Sequence, residues 1–493
     1  MTKSSKTRAV HVGLIVAMLV YAALLTHGHF SLALHHDGRG LTFNSMLEHL
    51  LHGQYDVDPD IVGGEGFLRD GRVYAYWGVF LALVRLPLTL IPGGLRLDVT
   101  PLSCWIAVCI AAAVKLKTLQ IVRRASAASR LRETLYGTMT AAILFSGAQI
   151  QFLQPSVYQE VCLWAGAQAA AFTFLAVRGI VAGAFSSFDL CGMAALAGLA
   201  LLTRVSIGVG LSLALGLLLL TGLWREQSPG GASAMASRPF VPRLRSRAIL
   251  WPALLLFLFF VAAGWVNYQR WGNPLTFADY HLYIMNGLFP DRLQRMAAYG
   301  LFNLARVPFG LGYYFFPIWV LQRRDGHLLF EEHQTRLIDA TELPPGSFFL
   351  TDPLLLFLMG CMIWLVFARR RDLGIDRMRA LVVLCGFLAP CVLILSAISM
   401  NFRYRIEFYP LMEFGAFLGV LALCRSKLSE AAANAISRTS AALAALGIIG
   451  SAFSLLLYKV SDFGPPHLGH GVYDYYVAQF RQHFPSVLKK LLR

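Results

Sequence analysis

The sequence predicts an all-α polytopic membrane protein with about 11 transmembrane helices and interfacial helices in two large periplasmic loops. Three observations lead there. The 493 residues are 57% apolar and only 14% charged, with a positive mean hydropathy, which is a membrane composition rather than that of several soluble domains. About eleven apolar runs approach the roughly 20 residues that a helix needs to cross the hydrocarbon. The formal charge of +16 is concentrated in short loops, such as Arg123, Arg124, Arg130 and Arg132, or Arg369, Arg370, Arg371, Arg377 and Arg379, alternating with loops that carry most of the acids. That alternation is the positive-inside pattern. It places the N-terminus and the Arg-rich loops in the cytoplasm, and it makes anionic lipid, not nucleic acid, the partner of the basic charge.

Lys3, Lys6 and Arg8 precede an apolar run with no small-residue cleavage site after it, so the first span, about 10–30, is expected to stay uncleaved. Residues 31–98 form the first periplasmic loop. Within it Leu41, Met46, Leu47, Leu50 and Leu51 fall at helical spacing and predict a short surface helix. Asp56, Asp58 and Asp60, followed by Gly63 and Gly64, read as turns. The segment RVYAYWGVFLALVRLPLTLIPGG is apolar enough to span but holds Arg85 and Pro87. Crossing there would invert every later loop against the charge rule, so it is expected to lie in the interface or to dip into the membrane.

Further spans are expected at about 99–122, 134–152 and 158–178. Residues 189–224 are too long for one helix and contain Arg204, so two spans meeting at the outer face around Thr203 to Ser206 are expected, with Arg204 out of the lipid. A cytoplasmic linker at 225–247 carries Ser, Pro and Gly followed by basic residues. After a span at 248–266 comes a second periplasmic region, 267–350, rich in aromatics. Spans at 351–368, 380–397, 406–424 and 440–458 lead to a periplasmic tail, 459–493. The whole of 1–493 reads as one transmembrane domain, with no internal repeat of the transporter kind. All eight cysteines lie in or beside apolar runs, which excludes a disulfide framework.

The stretch from His35 to Gly78 holds seven acids, Asp37, Glu48, Asp56, Asp58, Asp60, Glu65 and Asp70. Asp37 stands just past the first span, close to the bilayer surface. An outward-facing site has no access to cytoplasmic nucleotide sugars, whereas a sugar on a polyprenyl phosphate is already in the membrane. Such chemistry needs a carboxylate to deprotonate an acceptor hydroxyl and cations to hold the departing phosphate. Asp37 has the right depth for the first role, and the ordinary reading of an acid in a polar loop is solvation. Arg204, Arg270, Arg403 and Arg405, all expected at the outer face, are the phosphate candidates, since a guanidinium donates two parallel hydrogen bonds. The ordinary reading of each is snorkelling to headgroups, and for Arg403 and Arg405 an ion pair with Glu407. Six histidines fall between His27 and His52, but their spacing matches no closed zinc pattern. No cofactor is expected and a divalent metal is not favoured. P-loop, GxGxxG, GxSxG and HExxH motifs do not occur, against nucleotide-driven, serine or zinc hydrolase chemistry.

These residues resemble the glycosyltransferase-C superfamily, in particular the bacterial branch of protein O-mannosyltransferases and lipid A aminoarabinose transferases. The resemblance rests on the architecture and on short features in order: Asp37 past span one, LLHGQYDVDPD, DGRVYAYWGVFLALVRLPL, LALLTR ending at Arg204, NYQRWGNPLTF, and FRYRIEFYP. Many relatives carry two adjacent acids in the first loop, where this chain has Asp37 between His36 and Gly38. The resemblance implies an inverting transfer of one sugar from a polyprenyl-phosphate donor to a hydroxyl of a glycan, lipid or protein acceptor, at the periplasmic face of the bacterial inner membrane. It implies Asp37 as base and Arg403 or Arg405 at the donor phosphate. Glu160, at the outer end of its helix, together with His36, Glu48, Arg204 and Arg270, completes the substrate-binding set. The competing readings are a polysaccharide polymerase or ligase using a diphosphate-linked donor, a transporter of lipid-linked glycans, and an inactive scaffold.

Overall fold

The eleven expected spans each fall on a helix. The structure, a computed structural model, describes residues 3–35, 38–227, 243–316, 346–368 and 373–461, with residues 478, 481 and 482 of the tail. Most of the expected linker, residues 317–345 of the second outer region, nearly all of the tail, and His36 and Asp37 lie outside the described residues.

The long helices run α1 (Lys3–Leu25), α4 (Thr100–Arg124), α5 (Arg130–Phe145), α6 (Val157–Ala182), α7 (Ser187–Leu201), α8 (Val205–Gln227), α9 (Arg243–Trp271), α12 (Pro353–Met362, continued by a π turn to Ala368), α13 (Arg377–Leu395), α14 (Tyr409–Arg425) and α15 (Glu430–Ser461). Among the described residues seven helices are long and apolar enough to cross a membrane: α4, α6, α8, α9, α13, α14 and α15. Their starts are set locally. Ser129, Ser156 and Asp376 each accept a bond from the backbone N–H three residues on, and Ser186 with Asp189 forms a capping box, which satisfies amides that a helix otherwise leaves open. Gly183, at φ 74°, closes α6 in a left-handed turn that favours glycine.

Helix α14 is the axis of the bundle. Its residues are buried on every face, as an all-round apolar helix must be, and it packs against α4, α6, α12 and α13. Helix α9 is the opposite case. It packs chiefly on α7, and almost all of its apolar length is exposed, which suits a lipid-facing surface.

The first large loop, residues 31–98, is a small folded unit rather than a loose connection. Strand β1 (Leu34–His35) pairs antiparallel with β4 (Leu97–Asp98), so the two ends of the unit are tied together. A hairpin of β2 (Phe67–Arg69) and β3 (Arg72–Tyr74) turns at Asp70 and Gly71. Helix α2 (Thr42–Leu51) buries Phe43, Met46 and Leu47 against Val57, Val62, Val73 and Trp77. The surface helix read from the sequence therefore turns its apolar stripe into protein, each buried side chain contributing about 1.5–3 kcal/mol. The apolar segment with Arg85 and Pro87 does not form a long helix. It makes a short α3 (Phe80–Val84) and a 3-10 turn, Leu86–Leu90.

In the second outer region, α10 (Asp291–Tyr299) and α11 (Val307–Phe315) follow a series of turns. A bridge between Phe67 and Tyr283 joins the two outer regions.

Candidate active site

A cavity of about 470 Å³ opens where the two outer regions meet the helix ends. It is placed by the break between α7 and α8. The chain leaves α7 at Leu202, and the Phe80 amide donates to the Leu202 carbonyl over 2.9 Å. Gly78 lies so close to that same carbonyl that no side chain fits there. This contact brings Tyr76 and Trp77 of the first outer loop into the cavity wall. Helix α6 contributes Tyr158 near its first turn, the start of α8 contributes Arg204 and Ser206, and the second outer region contributes Phe277 and Tyr280. The 3-10 segment Phe402–Phe408 completes the wall with Arg403 and Tyr404.

Two guanidinium groups thus line one aromatic cavity. Arg403 stacks over Tyr158, with its guanidinium carbon 4.3 Å from the ring centroid, and lies 5.4 Å from the Tyr404 ring. Arg204 approaches the Tyr404 ring to 5.3 Å and is paired through Nε with Glu407, to which Ser206 also donates over 2.7 Å. Glu407 thus balances the charge of Arg204. A guanidinium can stack on a ring face and donate hydrogen bonds from its edge.

Glu65 lies half-buried in the turn before β2. It accepts a hydrogen bond from the Tyr283 hydroxyl over 2.9 Å, and both Glu65 and Arg39 act on the Tyr158 hydroxyl. Neither residue belongs to the set singled out from the sequence. The signal was an acid seated among glycines, GGEG, in a polar loop. Nothing in its spacing pointed to partners 93 and 218 positions away.

Of the expected site residues, the structure brings Arg204 and Arg403 to the cavity. Asp37 and His36 lie outside the described residues. Arg39 follows two positions after Asp37. Glu48 is exposed on α2. Glu160 is fully buried and pairs with Arg85 at 2.6 Å. Arg85 also donates to Asn44 over 3.2 Å, while Asn44 binds the Leu95 and Leu97 carbonyls. Arg270 is buried and donates to the Trp77 carbonyl over 2.8 Å. Arg405 is fully buried, bound to Gln151 and Thr351 over 2.6 Å each and to Asp352 at 3.4 Å. These last three side chains hold protein together and do not line the cavity.

His49 bridges Asp56 (3.1 Å) and Asp58 (3.4 Å) through its two ring nitrogens. Burial alone pulls its pKa down, but the hydrogen bonds and charges of the two aspartates outweigh this and hold it above the ordinary value. Among the described residues no group of three or more His, Cys, Asp or Glu gathers closely enough to hold a metal ion.

No protein family and no curated protein sequence matches the chain. Among solved structures, the oligosaccharyltransferase of Archaeoglobus fulgidus in its apo form aligns over 95% of this chain and 59% of its own, at 14% identity and a TM-score of 0.48. The oligosaccharyltransferase AglB from the same organism, in complex with an inhibitory peptide and a dolichol-phosphate, aligns at 13% identity over 94% of this chain and 59% of its own, with a TM-score of 0.45. This chain therefore spans 59% of the length of those proteins. Scores and identities this low transfer no residue role, ligand or activity.

Proposed function

We propose that this protein is an inverting membrane glycosyltransferase of the glycosyltransferase-C type. It moves a single sugar from a polyprenyl-phosphate donor to a hydroxyl of a glycan, lipid or protein acceptor, at the periplasmic face of a bacterial inner membrane. The observation that carries this reading is the cavity holding Arg204 and Arg403 between aromatic walls at the loop-bearing helix ends. A lipid-linked sugar phosphate combines the same two chemistries, an anion and an apolar or stackable body.

In this reading Asp37 takes the proton of the acceptor hydroxyl, and the oxygen attacks the anomeric carbon from the face opposite the phosphate. The bond from that carbon to the phosphate oxygen breaks and the phosphate leaves with the electron pair. Arg204 and Arg403 offset the charge that grows on it. The ionisable pair deeper in the bundle, Lys115 with Glu413 at 2.6 Å, is closed on itself and on Gln149. That favours a transferase over a transporter.

The test compares Asp37→Asn with wild type and a deletion strain by mass spectrometry of lipid-linked sugars and surface glycans. The variant, made at wild-type level, is expected to match the deletion and lose one sugar from a glycan. Wild-type glycans in the variant strain would remove Asp37 from the mechanism.

A further inference from the structure

We infer that Glu407 is a positioning residue: it holds Arg204 by the inner nitrogen of its guanidinium, so that the terminal N–H groups are left for a phosphate oxyanion in the cavity. The assignment rests on the reading of the cavity as the donor site. Glu407 is fully buried and is not part of the cavity wall, whereas Arg204 is. Glu407 therefore acts on a ligand only through the groups it holds.

The buried arginine–carboxylate pairs of this protein differ in the nitrogens they spend. Arg85 gives Nε to Asn44 and a terminal nitrogen to Glu160, and Arg405 gives both terminal nitrogens to Gln151, Thr351 and Asp352. Those two side chains are 1% and 0% exposed. Arg204 gives Nε to Glu407, keeps 15% of its side chain exposed and lines the cavity. A guanidinium carries five N–H donors. Among the described residues Arg204 uses the one on Nε, and the other four sit on the terminal nitrogens, from which a fork of two parallel bonds to an oxyanion is made.

The holder is itself fixed. Oε1 of Glu407 accepts from Ser206 over 2.7 Å as well as from Arg204, so two residues at the break between α7 and α8 converge on one carboxylate oxygen. The Glu407 carbonyl accepts from the Cys391 thiol of α13 over 3.4 Å. Tyr404, in the same 3-10 segment, sets its ring centroid 5.3 Å from the Arg204 guanidinium carbon. One short segment thus supplies both the ring and the carboxylate that restrict a long, flexible side chain. A side chain ordered before the ligand arrives lowers the entropy cost of binding it.

The experiment uses the full chain in lipid nanodiscs with two probes, undecaprenyl phosphate and undecaprenol, read by equilibrium binding. The ratio of the two affinities is the phosphate preference, which a merely structural role would not move. Glu407→Ala is expected to lower that preference by about tenfold, the scale of hydrogen bonds to charged groups, and to leave undecaprenol binding as in wild type. Glu407→Gln, whose amide oxygen still accepts from Nε, should recover part of the preference. In an Arg204→Gln background Glu407→Ala is expected to change nothing further, since residues acting through one contact are not additive. A full preference in Glu407→Ala, or the same loss in the Arg204→Gln background, overturns the assignment. So does a preference that rises in either Glu407 variant, because the carboxylate would then act by repelling the phosphate. If Glu407→Ala fails to fold, Ser206→Ala serves instead: it removes one of the two donors on Oε1 and is expected to lose part of the preference, and full retention counts against the assignment. The donor-site reading fails separately. A wild type without a phosphate preference, or an Arg204→Gln variant that keeps it whole, would overturn that reading whatever the Glu407 variants show.

Discussion

Arg85 and Glu160 stand 75 positions apart in sequence and 2.6 Å apart in the structure, both essentially free of solvent. A buried ion pair repays its desolvation only while both partners are present, and removing one leaves an uncompensated charge at a cost of about 3–5 kcal/mol. Arg85→Ala is therefore expected to lower the thermal unfolding midpoint in detergent sharply, and the apolar pair Arg85→Met with Glu160→Leu is expected to recover much of that loss. An Arg85→Ala midpoint equal to wild type would mean that the pair contributes nothing. Glu160 lies in the first turn of α6, at the helix end where the sequence puts it, but the partner that consumes its charge was not legible. Arg270 and Arg405 carry the same lesson. Their type and depth suit a phosphate, and only packing reveals that Trp77, Gln151, Thr351 and Asp352 already occupy them.

At the scale of elements, small residues decide how closely the helices meet. Gly419 of α14 packs on the Leu358 carbonyl of α12, and Gly386 of α13 on Ala214 of α8, the close backbone approach by which helices associate where lipid offers no hydrophobic drive. Gly419→Leu is expected to push α12 from α14 and to lower the yield of folded protein, measured as the monodisperse fraction in size-exclusion chromatography. Gly216, with open space around it, should accept Ala with no such loss. The positions of the helices themselves were legible, since runs of apolar residues and capping side chains are properties of neighbours in sequence. The segment around Arg85, with a charge and a proline in its middle, makes only a short helix and a 3-10 turn. The burial of Phe43, Met46 and Leu47 against a loop core was not, because an amphipathic stripe is equally suited to lipid and to protein.

For the whole molecule, the reading that the cavity faces outward predicts a labelling pattern. A cysteine at Leu275, 91% exposed, is expected to react with a membrane-impermeant maleimide in intact cells, and one at Arg130 only after the membrane is opened. The eight native cysteines all sit within helices and give a low background. The reverse pattern would put the cavity in the cytoplasm, where the donor argument fails. The amino-acid sequence by itself determined the helical class, the placing of the long helices, the division into apolar and polar stretches, and the concentration of acids in the first outer loop, because hydropathy and charge act over the length of a single helix. The tertiary structure alone decided that Arg204 and Arg403 share a cavity with Tyr158 and Tyr404, that Glu65 meets Tyr283, and that Glu160, Arg270 and Arg405 are spent on internal bonds. A site is a set of side chains drawn from distant parts of the chain, and its membership is settled only when the packing of helices and loops brings them within hydrogen-bonding reach.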